Sequence, residues 1–365
     1  MDSIKDLSVS YDAINDSNTF TSGDFISGRV NLTVSKHTKI NSFSIKAKGK
    51  ASVQWTEHYG QHSTVVYHDK ETCFKSVQFF VQEQEGRGGD GYALLSNESG
   101  RSYPSEVAPG CHTYPFTFQI PQENMPASFK GAHGKVVYFL EAKLCRSMRM
   151  SSKAKIKFNY VPKPDLTIPS LMLPICEDLT KKMKLFTSGS VSMEVKLEKM
   201  GYHIGEDLKF EVYITNKCSR TIAPKYSLYQ KQSFFAMKRR RVHTEQLLKE
   251  EGERIEPAGA RSVTKVLKIP PTTASIFNCR VLKVEYRLKV HLDIPLASDP
   301  EIKLPVVILP VSPDAGTISH PDIHIGFEWS GGSNPANQTE WNATFSASSG
   351  PSNLMFGTYT SESLS

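Results

Sequence analysis

The most informative stretch of the sequence is LKVEYRLKVHL, residues Leu282–Leu292. Apolar side chains occupy every second position, and the positions between them are charged or polar. A period of two is typical of a β-strand with one face in a hydrophobic core and the other in water. We therefore predict that this stretch is a strand of an antiparallel sheet whose outer face is solvated.

The same alternation recurs along much of the chain, in the segments 114–120, 136–144, 154–160 and 191–197. Helical patterns are rare, and the best candidate is Thr244–Glu251, which could form a helical turn or one arm of a hairpin. We favour the hairpin arm because Gly252 follows directly and the apolar spacing of a longer helix is absent. The sequence thus predicts an all-β protein.

A long-range repeat indicates how these strands are organised. The segment Gly23–Val30 resembles Gly205–Val212, and the features of residues 109–129 recur in the same order over residues 257–276. Two copies of one unit predict two antiparallel β-sandwiches of immunoglobulin-like type in tandem. We place the first sandwich at residues 1–162, a proline-rich connector at 163–186 and the second sandwich at 187–313.

The remaining residues, 314–365, are rich in Ser, Thr, Gly and Asn and show no periodicity, so we predict a disordered tail. All 44 Lys and Arg residues precede position 304, whereas five of the 37 Asp and Glu residues follow position 313. The tail therefore carries a charge of −5 and the rest of the chain +12. A basic body of this modest density suggests an anionic partner or membrane surface and argues against a dedicated nucleic-acid binder.

The sequence contains glycine-rich and histidine-rich stretches of the kind that bind dinucleotides or metals, but their sequence context does not fit such sites. The glycine-rich stretch Gly86–Gly91 opens no helix that could hold a dinucleotide, and we interpret it as a hairpin loop. Two histidine groups, at 58–69 and 320–324, are interrupted by Gly60 and Pro321, so we interpret them as loop residues and not as metal ligands. We predict no catalytic, cofactor-binding or metal site and expect a protein that is not an enzyme.

Basic clusters are the candidate binding residues. Lys46, Lys48 and Lys50 share one face of a predicted strand, and we place Arg29 on the neighbouring strand. A second cluster is Lys238-Arg239-Arg240-Arg241, which we expect to bulge or loop outward, because alternation in a strand would direct two of the four cations into the core. Simple solvation is the alternative for both clusters, and a phosphate or lipid-headgroup contact and a nuclear signal stay open for the second.

Several motifs resemble those of the alpha-arrestins, the arrestin domain-containing proteins. The most specific is Leu267-Lys-Ile-Pro-Pro-x-x-x-Ser-Ile-x-x-Cys279, followed by Val284-Glu285-Tyr286. Others are Ser10–Ser17, Ser27–Val30, Lys50–Glu57, His133–Tyr138 and Gly201–Glu206. The resemblance spans residues 1–313, which includes both predicted sandwiches and the connector.

The resemblance implies two arrestin sandwiches and a non-enzymatic trafficking adaptor that binds cytosolic regions of membrane receptors or transporters for endocytosis and endosomal sorting. It also implies a cytoplasmic protein, peripheral at the plasma membrane and endosomes, and recruitment of HECT-type ubiquitin ligases through Pro-Pro-x-Tyr motifs. This chain departs from that pattern, because its one proline pair, Pro270-Pro271, precedes Thr272-Thr273. A ligase-blind competitor of complete family members is therefore an alternative function.

A function of a different class, an extracellular adhesion-type sandwich, is also considered. The sequence starts without an apolar signal region, and its six cysteines are widely spaced and contain no Cys-x-x-Cys pair. These features favour reduced cysteines in the cytosol. Anionic lipids are the additional partner that the basic clusters suggest.

Overall fold

The computed structural model describes residues 3–60, 63–82, 92–97, 99–163, 168–183 and 189–310. Its first sandwich contains twelve strands among these residues. They are β1 (Ile4–Tyr11), β2 (Thr19–Phe20), β3 (Phe25–Val34), β4 (Thr38–Lys39), β5 (Ser42–Tyr59), β6 (Ser63–Gln82), β7 (Tyr92–Leu94), β8 (Glu106–Val107), β9 (Gly110–Gln119), β10 (Phe129–Lys130), β11 (Gly134–Cys145) and β12 (Ser152–Tyr160).

The second sandwich follows a short 3-10 helix, Pro169–Met172. Its strands are β13 (Ile175–Lys182), β14 (Gly189–Leu197), β15 (Gly201–His203), β16 (Asp207–Cys218), β17 (Ala223–Ala236), β18 (Arg239–Glu251), β19 (Ala260–Lys268), β20 (Leu282–Asp293) and β21 (Glu301–Leu309). The decisive stretch 282–292 is thus a strand, and Thr244–Glu251 belongs to a hairpin arm, as predicted. Part of the connector expected at 163–186 is strand β13, whose weak pattern of only two inward apolar residues, Ile175 and Leu179, hid it.

Each sandwich has a smaller and a larger sheet. In the first, β1-β3-β9 faces β2-β12-β11-β5-β6-β7; in the second, β13-β14-β16-β19 faces β15-β21-β20-β17-β18. The larger sheets are built alike, because the long antiparallel pairs β5–β11 and β17–β20 lie at their centres. The fold is therefore all-β with two arrestin-like sandwiches in tandem. The predicted disorder of residues 314–365 falls outside the described residues.

The cores consist of the inward positions of the alternating strands, and the repeat seen in the sequence extends to hydrogen bonds. Buried Tyr138 of β11 donates its hydroxyl hydrogen to the Pro126 carbonyl, and buried Tyr286 of β20 donates to the Thr273 carbonyl. Ser128 and Ser275, two residues beyond those carbonyls, each accept a backbone N–H through the side-chain oxygen, at 3.0 Å in both cases. The same tyrosine and serine hydrogen bonds thus occur at equivalent positions in the two cores.

Contacts between the sandwiches lie at one end of the first. The backbone N–H of Ala132 donates to Gln232 Oε1 at 3.0 Å, and the His133 ring meets the edge of Phe234 at a centroid distance of 5.5 Å. Arg280 binds Asp69, with 2.7 Å between Nη1 and Oδ2. Because β11 starts at Gly134, beside these contacts, its other end lies about 40 Å away.

Candidate docking face

The three lysines of β5 that the sequence singled out share one face of the larger sheet in the first sandwich. Lys46, Lys48 and Lys50 are partly exposed and alternate with buried residues at positions 45, 47, 49 and 51. The arrangement on the strand is the one predicted from alternation. Their neighbours on the adjacent strands determine what this face can bind.

Three further strands add lysines to the same face. Lys48 lies opposite Phe139 of β11 and Lys75 of β6, and Phe139 in turn lies opposite Lys157 of β12. Residues paired in register point to the same side of a sheet, so the outward positions of four strands can be read from the pairing. They include ten lysines, which together form what we call the lysine face: Lys46, Lys48, Lys50, Lys70, Lys75, Lys135, Lys143, Lys153, Lys155 and Lys157.

Negative charge on this face comes from Glu141, the one carboxylate at the outward positions of β5, β6, β11 and β12 in the described residues. Its Oε1 lies 2.5 Å from Lys46 Nζ. Burial raises the pKa of Glu141, but the hydrogen bond and charge of Lys46 outweigh burial and hold that pKa below its usual range. Glu141 also lies opposite Lys155 across the pairing of β11 with β12, and the charges of Lys155 and Lys153 lower its pKa further.

The lysines influence one another. Burial is the main cause that lowers the pKa of Lys50, and the charges of Lys70, Lys48 and Lys135 lower it further. Burial also lowers the pKa of Lys155, whose Nζ lies 3.5 Å from the centre of the Phe139 ring. Like charges that disfavour each other's protonation create a positive potential, which an anionic ligand would relieve.

Arg29 is not part of this face. Its strand, β3, pairs with β1 and β9 in the opposite sheet, and its Nη2 forms an exposed ion pair with Asp12 at 3.2 Å. The expectation that it neighbours the lysine strand is therefore wrong. Between β3 and β5 the chain crosses from one sheet of the sandwich to the other, so these two strands do not pair.

The cluster Lys238–Arg241 lies in the hairpin of β17 and β18. Met237 and Lys238 form its turn with φ angles of 50° and 62°, the left-handed pair of a two-residue hairpin turn. Arg239, Arg240 and Arg241 belong to strand β18, so the expectation that the run loops outward is wrong for three residues. Their side chains are exposed nevertheless, because β18 is an edge strand that extends beyond the core.

Alternation directs the arginines of β18 to two different surroundings. Arg240 lies 5.7 Å from the Phe235 ring and donates to Ser233 Oγ at 2.8 Å. Arg241 Nη1 lies 4.0 Å from Glu57 Oε1 of the first sandwich. Hydrogen bonds from Tyr59 and Trp55 lower the pKa of Glu57 most, and the charges of Arg241 and Arg239 lower it further. The run thus lies partly against the domain boundary, and its role as a membrane site stays a prediction.

Comparison with known proteins identifies the family of this double sandwich. Residues 7–167 match the model of the arrestin (or S-antigen) N-terminal domain, and residues 187–313 match that of the C-terminal domain. Human arrestin domain-containing protein 4 is 30% identical over 298 residues, which cover 79% of this chain and 68% of that protein. Rat thioredoxin-interacting protein is 27% identical over 293 residues, covering 79% and 70%. The chain belongs to the alpha-arrestin family.

Seven of the ten lysines on the face of this alpha-arrestin were not singled out from the sequence. A signal existed in Lys153-Ala-Lys-Ile-Lys157, which repeats the spacing of Lys46, Lys48 and Lys50. The pairing of β12 with β11, and of β11 with β5, joins the two stripes, and a single sequence does not show which strands are neighbours.

The described residues of the alpha-arrestin also include metal-ligating and thiol side chains outside the lysine face. Among the described residues, no group of three or more His, Cys, Asp and Glu side chains could hold a metal ion. In the same ranges, no helix is long and apolar enough to cross a membrane. Gly86–Gly91 and the histidine group at 320–324 fall outside those ranges. All six cysteines are unpaired.

Proposed function

We propose that this alpha-arrestin is a trafficking adaptor that binds acidic cytosolic segments of membrane receptors or transporters on its lysine face. It would act in the cytoplasm, at the surface of the plasma membrane and endosomes, in endocytosis and endosomal sorting. The observation that carries the proposal is a face of ten lysines and one carboxylate in a protein of a family of non-enzymatic adaptors. Charge complementarity of this kind supports recognition of an anionic partner.

The chemistry of the face favours a peptide over a nucleic acid. Single-stranded nucleic acids bind where aromatic side chains offer open surfaces for base stacking. On the lysine face the large aromatic residue at the centre, Phe139, is buried and covered by the Lys155 ammonium group. Half-buried Val137, Val77 and Phe79 offer shallow apolar contacts between the lysines, which suit a peptide that mixes acidic and apolar residues.

The test uses the full chain and a labelled peptide that alternates Glu with Leu and Val. The variant Lys48→Gln, Lys50→Gln, Lys157→Gln should bind it about tenfold more weakly, since three screened contacts of about 0.5 kcal/mol each are lost. The control is Lys231→Gln, Lys289→Gln, Lys303→Gln on the second sandwich, which should bind nearly as well as the parent. Equal loss in both variants would show that only net charge matters.

Recruitment of HECT-type ligases by the usual motif is not part of this proposal. Pro270-Pro271 is followed by buried Thr272 and Thr273, and a WW domain requires the tyrosine and the prolines exposed in an extended segment. We expect isolated WW domains to show no saturable binding to the full chain in a titration followed by calorimetry. Micromolar binding would contradict this, and would also remove the ligase-blind competitor as an alternative function.

A further inference from the structure

The end of the first sandwich farthest from the second carries two unusually exposed apolar side chains. They lie in the loop Arg146–Ser151 between β11 and β12, which we call the methionine tip. Met148 and Met150 have relative exposures of 101% and 92%, the highest of the large apolar side chains in the described residues. Two fully exposed large apolar side chains in one short turn form a candidate contact with an apolar phase.

The surrounding structure holds the methionine tip in place. The last pair of the hairpin is Leu144 with Ser152, and Ser151 Oγ lies 3.3 Å from Cys145 Sγ. Arg146 Nη1 donates to Ser3 Oγ at 2.9 Å, which ties the loop to the start of β1. Met148 has a φ of 50°, in the left-handed region that a residue with a side chain adopts at a cost. The loop is thus an ordered turn with its methionines outward.

Among the described residues, those around the methionine tip are mostly cationic. The Asn41 N–H donates to the Cys145 carbonyl at 3.0 Å, so the loop before β5 lies beside the tip. The cations of these segments and of the adjoining strand ends are Lys36, Lys39, Lys143, Arg146, Arg149 and Lys153. The carboxylates that the described residues place at this end are Asp6 and Glu106, and Glu106 lies opposite Lys39.

We propose that the methionine tip inserts into the headgroup region of an anionic lipid bilayer. Two methionines are far too small for the core of a stable protein interface, which buries about 800 Å² on each partner. They do suit shallow insertion, in which apolar side chains enter the acyl boundary while flanking cations stay among anionic headgroups. Because the surrounding side chains are basic, the methionine tip should prefer a leaflet that contains negatively charged lipids.

This inference goes beyond the proposed function and does not depend on cargo. Lys143 and Lys153 belong both to the lysine face and to the base of the methionine tip. A docked tip would therefore hold one end of that face against the leaflet, with the second sandwich directed away from it. Receptor segments that emerge from the same membrane would meet the face close to where they leave the bilayer.

The test measures co-sedimentation of the full chain with phosphatidylcholine vesicles that contain or lack phosphatidylserine. With phosphatidylserine, Met148→Gln with Met150→Gln should lower the partition coefficient about tenfold, and Arg149→Gln about fivefold. The matched control is Met237→Gln, because Met237 is also exposed, has a positive φ and precedes Lys238 in the β17–β18 turn. If the control reduces binding and the double variant does not, the membrane site is the Lys238–Arg241 run and the proposal fails.

A second measurement reports insertion directly. A tryptophan introduced as Met148→Trp should be quenched by brominated lipids in phosphatidylserine vesicles, after subtraction of the parent signal. No quenching with retained sedimentation would overturn insertion and leave electrostatic adsorption. The variant Lys48→Gln, Lys50→Gln, Lys157→Gln should keep at least half of the vesicle binding while it binds the acidic peptide about tenfold more weakly, which separates failure of this inference from failure of the cargo proposal.

Discussion

The larger sheets of the two sandwiches share one architecture but differ in how their outer faces are charged. On the first, ten lysines face one carboxylate. On the second, five cations of β17, β20 and β21 form ion pairs: Lys225 pairs with Glu251 and Asp293, Lys231 and Arg287 with Glu285, and Lys289 and Lys303 with Glu301. The second face thus sets four carboxylates among its cations, whereas the outward positions of β5, β6, β11 and β12 in the described residues supply one.

This difference shows that the fold leaves the outer face free to vary. Alternation sends every second side chain to water, where its charge has little effect on packing. The inner face is more constrained, as the equivalent tyrosines show. Tyr138 lies opposite Gly49 of β5, whereas Tyr286 lies opposite Gln230 of β17 and accepts its amide N–H at 2.7 Å. The residue that fills the space beside the tyrosine therefore differs between the cores: a glycine in the first and a hydrogen-bonding glutamine in the second.

The largest effect is expected from filling the space beside Tyr138. A Cβ on Gly49 would overlap Cε1 of that ring and lie 2.8 Å from its Cδ1, with Phe74 at 3.0 Å. Gly49→Ala should therefore lower the free energy of unfolding by about 3 kcal/mol, because a close-packed core has no room for the methyl group. Urea titration followed by tryptophan fluorescence measures it.

The control for that substitution is Ala47→Gly on the same strand, which removes a methyl group without a clash and should cost about 1 kcal/mol. A smaller loss for Gly49→Ala than for this control would mean that Tyr138 moves aside freely. The two cores would then differ only in the hydrogen-bond partners of Tyr138 and Tyr286, and not in how tightly the tyrosines are packed.

The next largest effect separates the two tyrosines. Tyr286 is fully buried, and its hydroxyl joins Gln230, Thr272 and the Thr273 carbonyl. Tyr286→Phe should cost about 2 kcal/mol, because the buried Gln230 amide loses the closer of its two acceptors and keeps Thr272 Oγ1 at 3.3 Å. Tyr138→Phe should cost about 1 kcal/mol, the net value of one hydrogen bond to the Pro126 carbonyl.

Hydrogen exchange measured separately for peptides of each sandwich checks this pair of substitutions. Exchange should accelerate mainly in the sandwich that carries the change. Equal costs for the two tyrosines, or acceleration in both sandwiches, would show that the interface through Gln232 and Ala132 couples the cores more strongly than their own hydrogen bonds do.

The sequence was sufficient to predict the fold class and the two units because alternation and internal repetition are local signals. It also placed Lys46, Lys48 and Lys50 on one face. It misplaced Arg29, because strand neighbours in a sandwich depend on where the chain crosses between sheets. It also missed β13, which has few apolar residues to mark its period.

The lysine face and the surroundings of the Lys238–Arg241 run depend on pairing between distant strands. Lys157 and Lys48 are brought together through Phe139, and no short-range pattern indicates that contact. Arg241 meets Glu57 because the β17–β18 hairpin reaches the first sandwich. Edge strands outside the core also break the rule that alternate residues are buried, which is why the run could be a strand and stay exposed.

A third prediction concerns substitutions that make the charge of the second face resemble that of the first. Glu285→Gln with Glu301→Gln removes the carboxylates that pair with Lys231, Arg287, Lys289 and Lys303. We expect affinity for the acidic peptide to rise about fivefold, which corresponds to about 1 kcal/mol from the freed cations. Fluorescence anisotropy at low salt measures it. Unchanged affinity would indicate that the peptide does not respond to surface charge on this sheet.

The smallest effect concerns Glu141 and its partner Lys46. Lys46 holds the pKa of Glu141 below its usual range in the folded chain, so the pair adds stability above the ordinary carboxyl pKa of about 4.3 and loses it as the pH falls through the lowered value. Glu141→Gln should therefore cost about 0.5 kcal/mol near pH 7 and nearly nothing near pH 3. The same variant should bind the acidic peptide slightly more tightly, because it leaves the lysine face without a carboxylate. Urea titrations of the parent, Glu141→Gln, Lys46→Met and the double variant isolate the pair as a thermodynamic cycle. A coupling energy that stays constant from neutral to acid pH would show that packing of the two side chains, and not their charge, holds them together.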